Sequence, residues 1–162
     1  MINKVSFTGK PANYLRIDNT VSRSAQPAVE DFDWLKENGI TDVFNFRTMG
    51  DPKITLDEKA EVEKRGMKYH NIPSYTKEPN EANIDRFLSE VEEVKNKGGK
   101  AHIHCKAGAD RTGMYAFIYK TKHHIDSTTN NIKEWLAHGH NQKLYPNLMN
   151  WTQEFVKKRF SK

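Results

Sequence analysis

The stretch HIHCKAGADRTGM, residues 102 to 114, constrains this chain more than any other. It runs from a short alternating segment, KAHIH, through a loop holding the chain's one cysteine, Cys105, into a helical pattern. A strand that turns so tightly into a helix points successive amide N–H groups inward, and the helix dipole adds positive potential. Gly108 permits backbone conformations closed to other residues. The expected product is a nest for a tetrahedral oxyanion, built from Lys106, Ala107, Gly108, Ala109, Asp110 and Arg111.

The side chains of the loop suit that reading. Arg111, six positions after the cysteine, can fork two N–H donors onto two oxygens of the anion, a geometry that lysine lacks. The same amides and guanidinium favour the thiolate of Cys105, as at other helix N-termini, and make it a nucleophile at neutral pH. Thr112 is expected to hydrogen-bond the sulfur and stabilise it as a leaving group, and Gly113 to leave room for close packing where the helix begins. His104 points to the opposite face of an alternating strand, so its expected role is to brace the loop through hydrogen bonds. Lys106 adds positive charge beside the anion; Arg47 either does the same or binds a carboxylate at the edge of the core.

Elsewhere the chain punctuates itself. Val29, Phe32 and Leu35 with Gly39 predict a helix over 28–38, and ITDVFNF predicts a strand. Thr55 and Glu58 stand in capping-box spacing ahead of a second, more exposed helix that stops at Gly66, followed by the strand MKYHNI. Ile84, Phe87, Leu88, Val91 and Val94 form the stripe of a helix packed on a core. Three more helical patterns follow the cysteine loop. Strands alternate with helices early and helices accumulate late, which predicts a small central sheet covered on both sides.

With 36% apolar and 29% charged residues and no run of membrane-span length, the composition is that of one globular domain over residues 1–162. The net charge of +5 comes from lysines mixed with acids, so nucleic acid is not an expected partner. The first residues lack the apolar core of an export signal and a lone cysteine suits a reducing compartment. A cytoplasmic location is the default expectation, with export through a removed signal left open. The pairs His123 with His124 and His138 with His140 lack a third ligand at metal spacing and are expected on the surface. No metal or other cofactor is expected.

Cys105, Gly108, Arg111, Thr112 and Gly113 match the signature His-Cys-x-x-Gly-x-x-Arg-Thr-Gly, and here the sequence resembles the cysteine-dependent protein tyrosine phosphatase superfamily. The stretches SRSAQP, GITDVFNFR and YHNIPSY extend the likeness to small bacterial dual-specificity-like phosphatases. The resemblance implies an α/β fold with a small, largely parallel central sheet flanked by helices on both sides. It also implies attack by the thiolate on phosphorus, a cysteinyl phosphate, and its hydrolysis by water, with a carboxylic acid protonating the leaving oxygen. Many members carry that acid as an aspartate on a loop upstream of the cysteine, but here the loop IPSYTKEPNEANID has none at the expected place. Glu78, in a turn marked by Pro79, and Asp110, beside the arginine, stand as equal candidates, ahead of Asp85 and Glu81. Arg23 and Gln26 read as structural, and Tyr75 as a packing residue rather than a lining of the pocket wall.

The expected substrate is a phosphorylated protein, phosphotyrosine first, acted on by a monomer. A phosphatase of phosphoinositides or other small phosphoesters is the alternative within enzymes, and a phosphate-binding module without turnover the alternative outside them.

Overall fold

The protein is described by a computed structural model over residues 9–49, 51 and 57–160. Among these residues the chain runs β1 (Leu15–Arg16), β2 (Val21–Ser24), α1 (Asp31–Glu37), β3 (Asp42–Asn45), α2 (Glu58–Glu63), β4 (Lys68–Asn71), α3 (Glu81–Asn96), β5 (Ala101–His104), α4 (Arg111–Lys122), α5 (Thr128–Ala137) and α6 (Leu148–Phe160). The strands form one sheet in the order β1-β2-β5-β3-β4, in which only the β1–β2 pair is antiparallel. The expected α/β architecture is borne out. No helix among the described residues is long and apolar enough to cross a membrane.

Period-2 alternation sorts the side chains of the sheet into two cores. Val43 of β3 faces α1 and α2, packing with Phe32, Leu35, Val62 and Met67. Phe44 of β3, with Phe46 just beyond its end, and Ala101 and Ile103 of β5 face the other way, onto Phe87 of α3 and Tyr115 of α4. The helices α5 and α6 then pack on α4, adding Trp135, Leu148 and Phe155 to that larger core. Burial of these apolar side chains, each worth about 1.5–3 kcal/mol, is what holds the sheet between its helices.

The strands β1 and β2 have no counterpart in the periodicity of the sequence. All four residues of β2 are buried, yet three are polar, so apolar alternation could not reveal it. Its place is fixed by polar contacts instead: Ser22 Oγ and Ser24 Oγ each lie 2.7 Å from one ring nitrogen of His102 on the neighbouring β5. Burial holds His102 well below its ordinary range, so the ring is neutral. Ser24 Oγ gives its proton to Ala25 O, 2.7 Å away, and therefore accepts from His102 Nε2–H while Ser22 donates to Nδ1.

The expected helix after residue 55 begins at Glu58, and its N-cap is Asp57, whose side chain accepts from Ala60 N at 3.2 Å. Thr55 lies outside the described residues. Glu58 is no surface capping residue; it is buried and turned inward under the sheet.

Candidate active site

Register places the site. Ser24, His104 and Asn45 align across β2, β5 and β3, and Asn45 aligns with Asn71 of β4, so four parallel strands end in one row. Crevices beyond the carboxyl ends of such strands are where open α/β sheets bind ligands. Cys105 is the next residue out from the central strand. It continues the face of Ala101 and Ile103 and is 2% exposed, while His104 points to the α2 side.

The loop from Cys105 to Asp110 is held entirely from outside. His104 Nδ1 donates to Cys105 O at 3.0 Å, Gln26 N to Lys106 O at 2.9 Å and Asn13 Nδ2 to Ala107 O at 3.1 Å. Arg23 Nη2 donates to Gly108 O at 2.9 Å and Trp135 Nε1 to Ala109 O at 3.0 Å. Five consecutive carbonyls thus have donors elsewhere, whereas the amides of Lys106 to Asp110 find no acceptor among the described residues. Gly108 and Ala109 are buried, and buried amides are nearly always paired, so a row of unspent donors at the start of α4 has the chemistry to hold an anion.

Two glycines make this shape attainable. Gly108 has φ of +73°, and a Cβ there would stand 2.5 Å from both C and O of Ser24. At Gly113 a Cβ would meet Trp135 Nε1 at 2.1 Å, so the missing side chain lets the indole reach Ala109.

Behind the loop lies a polar scaffold. Arg23, 1% exposed, also binds Glu134 Oε2 at 3.0 Å, whose other oxygen takes Lys120 Nζ at 2.6 Å. Burial pulls the Arg23 guanidinium below its ordinary range even with Glu134 against it. His104 Nε2 meets Glu58 Oε2 at 2.5 Å, and Gln26 Nε2 donates to Glu58 Oε1 at 2.7 Å.

Arg111 is forked, though by a carboxylate the sequence did not single out. Its Nη1 lies 3.2 Å from Asp51 Oδ1 and its Nη2 2.7 Å from Oδ2, and Nη1 also donates to Ser74 O at 3.3 Å. Arg47 Nε and Thr48 Oγ1 hold the same carboxylate at 3.2 and 2.8 Å. Burial alone would raise the Asp51 carboxyl, but the hydrogen bonds from Arg111 and Thr48 outweigh it and keep it well below the usual range. Burial would likewise lower Arg111; the bond to Asp51 and the nearby sulfur raise it instead. The two Nη groups are oriented by Asp51, and Arg111 Nε has no partner among the described residues. The one trace of Asp51 in the sequence is its place four residues after Arg47, itself at a strand end.

The remaining candidates separate. Asp110 lies in the loop, and its Oδ1 accepts from His140 Nδ1 at 2.7 Å and Asn141 N at 2.9 Å. Glu78 is exposed in a turn where its amide donates to Tyr75 O, and its carboxylate has no partner among the described residues. Glu81 and Asp85 are tied to Arg159 on the surface. Thr112 is buried, but Oγ1 makes no hydrogen bond among the described residues, so the expected contact with the sulfur is not formed. Gly108 O, which a helical Thr112 hydroxyl would reach at i−4, is taken by Arg23. Lys106 is exposed at the rim.

Two further expectations are corrected. Tyr75 does not pack; it is 64% exposed, next to the Ser74 carbonyl that receives Arg111. His140 is not a surface histidine but is buried against Trp135, with ring centroids 4.7 Å apart. His138 binds Asn13 Oδ1 at 2.8 Å. A cavity of about 590 Å³ opens on the α2 side between Gln26, Arg47, Glu58 and Tyr69; neither Cys105 nor Arg111 lines it.

An amide-lined loop that begins with a cysteine at the end of a central parallel strand, and closes with an arginine opening a helix, defines a phosphatase of the protein tyrosine and dual-specificity class. Residues 19–123 match the family model Tc-R-P, "Polymorphic toxin system, DSP-PTPase phosphatase", and the chain belongs to that family. No curated protein matches it in sequence. Among solved structures, a DUF442 protein of Shewanella putrefaciens CN-32 superimposes with a TM-score of 0.79 at 21% identity, covering 98% of each chain. TpbA of P. aeruginosa gives 0.73 at 19% identity, over 88% of this chain and 84% of that one. The core catalytic domain of the PP-IP phosphatase SIW14 of S. cerevisiae gives 0.69 at 17%, over 93% and 94%. The protein is therefore a phosphatase by family, with the matching fold.

Proposed function

We propose that the protein is a metal-independent phosphomonoesterase that works through a cysteinyl phosphate and takes phosphotyrosine first. The observation that carries this reading is the row of unspent amides from Lys106 to Asp110 around Cys105, closed by the oriented guanidinium of Arg111. The amides and Arg111 bind the non-bridging phosphate oxygens and stabilise charge as it shifts in the transition state. The Cys105 thiolate attacks phosphorus, and the bond from phosphorus to the leaving oxygen breaks as Asp110 gives that oxygen a proton. Water then attacks the cysteinyl phosphate, Asp110 takes the water's proton, and Cys105 leaves as thiolate. Asp110 is preferred to Glu78 because it lies in the loop itself, whereas Glu78 stands in an exposed turn.

Phosphotyrosine comes first because a cysteine-to-serine form of TpbA holds that ligand, and because an exposed Tyr75 at the rim offers a face for an aromatic ring. The likeness to SIW14, with the exposed Lys106, supports inositol phosphates as the second reading.

The test is phosphate release by wild type and Cys105→Ser over phosphotyrosine and phosphoserine peptides, phosphoinositides, inositol phosphates and an aryl phosphate, all with chelator present. Cys105-dependent release that vanadate inhibits supports the reading, and the preferred substrate ranks the alternatives. Release that the chelator abolishes defeats the metal-free mechanism; vanadate binding without release points to a phosphate-binding module.

A further inference from the structure

We infer that His140, in the turn after α5, is a positioning residue of the same reaction: its imidazole holds Asp110 Oδ1 and confines the transferable proton to Oδ2. The inference rests on Asp110 being the acid. Three features of the geometry converge on it.

Asp110 is the N-cap residue of α4, yet its side chain makes no capping bond. An aspartate at that position usually accepts from the backbone N–H two or three residues on and so stabilises the helix. Here the carboxylate gives that up for residues 140 and 141, just past the turn that ends α5. Both bonds it accepts, from His140 Nδ1 and Asn141 N, fall on Oδ1. The second oxygen has no partner among the described residues, in a side chain that is 20% exposed.

The histidine is built in rather than incidental. Its side chain is 0% exposed, stacks on Trp135, and leaves Nε2 buried without a partner among the described residues. An imidazolium would have to bury an Nε2–H with no acceptor, which costs more than a bare lone pair. The tautomer that fits carries its hydrogen on Nδ1 and donates it to Asp110 Oδ1. An oxygen already accepting two N–H bonds has little capacity left for a proton of its own, so the acid proton sits on Oδ2. When the phosphorus–oxygen bond breaks, Oδ2–H passes its proton to the leaving oxygen; in the second step Oδ2 takes one from water. His140 keeps its own proton throughout.

Trp135 connects the two ends of this device. The indole that backs His140 also donates to Ala109 O, the carbonyl just before Asp110. The turn after α5 therefore fixes the backbone and the carboxylate of the same loop corner.

The experiment measures kcat/KM for a series of aryl and alkyl phosphates graded by leaving-group basicity. It uses wild type, Asp110→Asn, His140→Phe, His140→Gln and His140→Asn. Loss of a general acid is felt by poor leaving groups and little by good ones, whereas a collapsed loop slows all substrates alike. Asp110→Asn is expected to raise the ratio of good to poor substrates about 10²-fold. His140→Phe, which keeps a ring on Trp135, and His140→Gln, whose amide falls nearer Nε2, are each expected to raise it about 10-fold. His140→Asn places an N–H near the Nδ1 position and is expected to return the ratio to within about threefold of wild type.

Should His140→Phe fail to fold, His140→Gln against His140→Asn decides the matter alone. A ratio unchanged in the His140 variants while Asp110→Asn raises it overturns the positioning role and leaves the acid assignment standing. A ratio unchanged in Asp110→Asn overturns both.

Discussion

Replacing Gly113 by alanine should destabilise the protein, although the same exchange in an ordinary helix interior stabilises it by about 1 kcal/mol. A Cβ at Gly113 would lie 2.1 Å from Trp135 Nε1 and 2.2 Å from Cδ1, where carbon contacts optimise near 3.5 to 4.0 Å. The indole must retreat by about 1.5 Å, which overpacks its surroundings at about 1–3 kcal/mol. The retreat also breaks its 3.0 Å bond to Ala109 O, and leaving that carbonyl unsatisfied costs about 1–3 kcal/mol more. Set against the helix gain, the net loss is about 3 kcal/mol, or about 6–12 °C in Tm for a chain of this size. The three atoms nearest the added methyl all belong to the Trp135 ring, so the penalty should vanish once the ring is removed. Urea unfolding of wild type, Gly113→Ala, Trp135→Ala and the double variant tests this as a double-mutant cycle. In the Trp135→Ala background the Gly113→Ala step should be neutral or stabilising by up to about 1 kcal/mol. The same loss in both backgrounds would show that the close approach of α4 and α5 is not the cause.

The Asp51 carboxyl is held below the ordinary aspartate range, so its contribution to stability is present above about pH 3.9 and is lost as the pH falls through the folded value. Urea midpoints of wild type and Asp51→Asn should differ near pH 6 and converge on acidification; a gap independent of pH refutes this. At Arg23 lysine is not a conservative exchange, because one ammonium cannot reach both Gly108 O and Glu134 as the guanidinium does. With Lys120 still beside Glu134, Arg23→Lys should cost about 1–3 kcal/mol in thermal unfolding, and an unchanged Tm would show that the buried fork is dispensable.

Legibility followed the kind of force that fixes each part. The strands at 40–46, 67–72 and 100–104 and the stripe on α3 were readable because apolar burial imprints a period on contiguous residues. The strand β2 was not, because serines that grip a buried histidine leave no such period. Within the site, the unit from β5 to α4 was readable because strand, loop and helix are adjacent in sequence. Its supports were not: Asn13, Arg23, Trp135 and His140 reach the loop, and Glu58 reaches its brace His104, across long separations through one or two hydrogen bonds, which depend on tertiary placement alone. Glu58 illustrates the ambiguity. The spacing that suggested a capping box on an exposed helix belongs to a residue that the fold turns inward onto His104.

These supports fall into two groups that bear differently on function. The first half of the loop, Cys105 and Lys106, is held by His104 with Glu58 and by Gln26. All of these lie within the residues 19–123 that match the family. The second half, Ala107 to Asp110, is held by the side chains of Asn13, Trp135 and His140 and the amide of Asn141, all outside that span, with Arg23 inside it. Cys105 is thus seated by residues the family model covers, while the corner carrying Asp110 is seated by flanking segments. Because a loop of fixed carbonyls moves only if its donors move, substitutions at residues 134–141 can re-aim Asp110 without touching Cys105 or Arg111. Under the proposed mechanism, handling of the leaving group is therefore separable in this chain from capture of the phosphate.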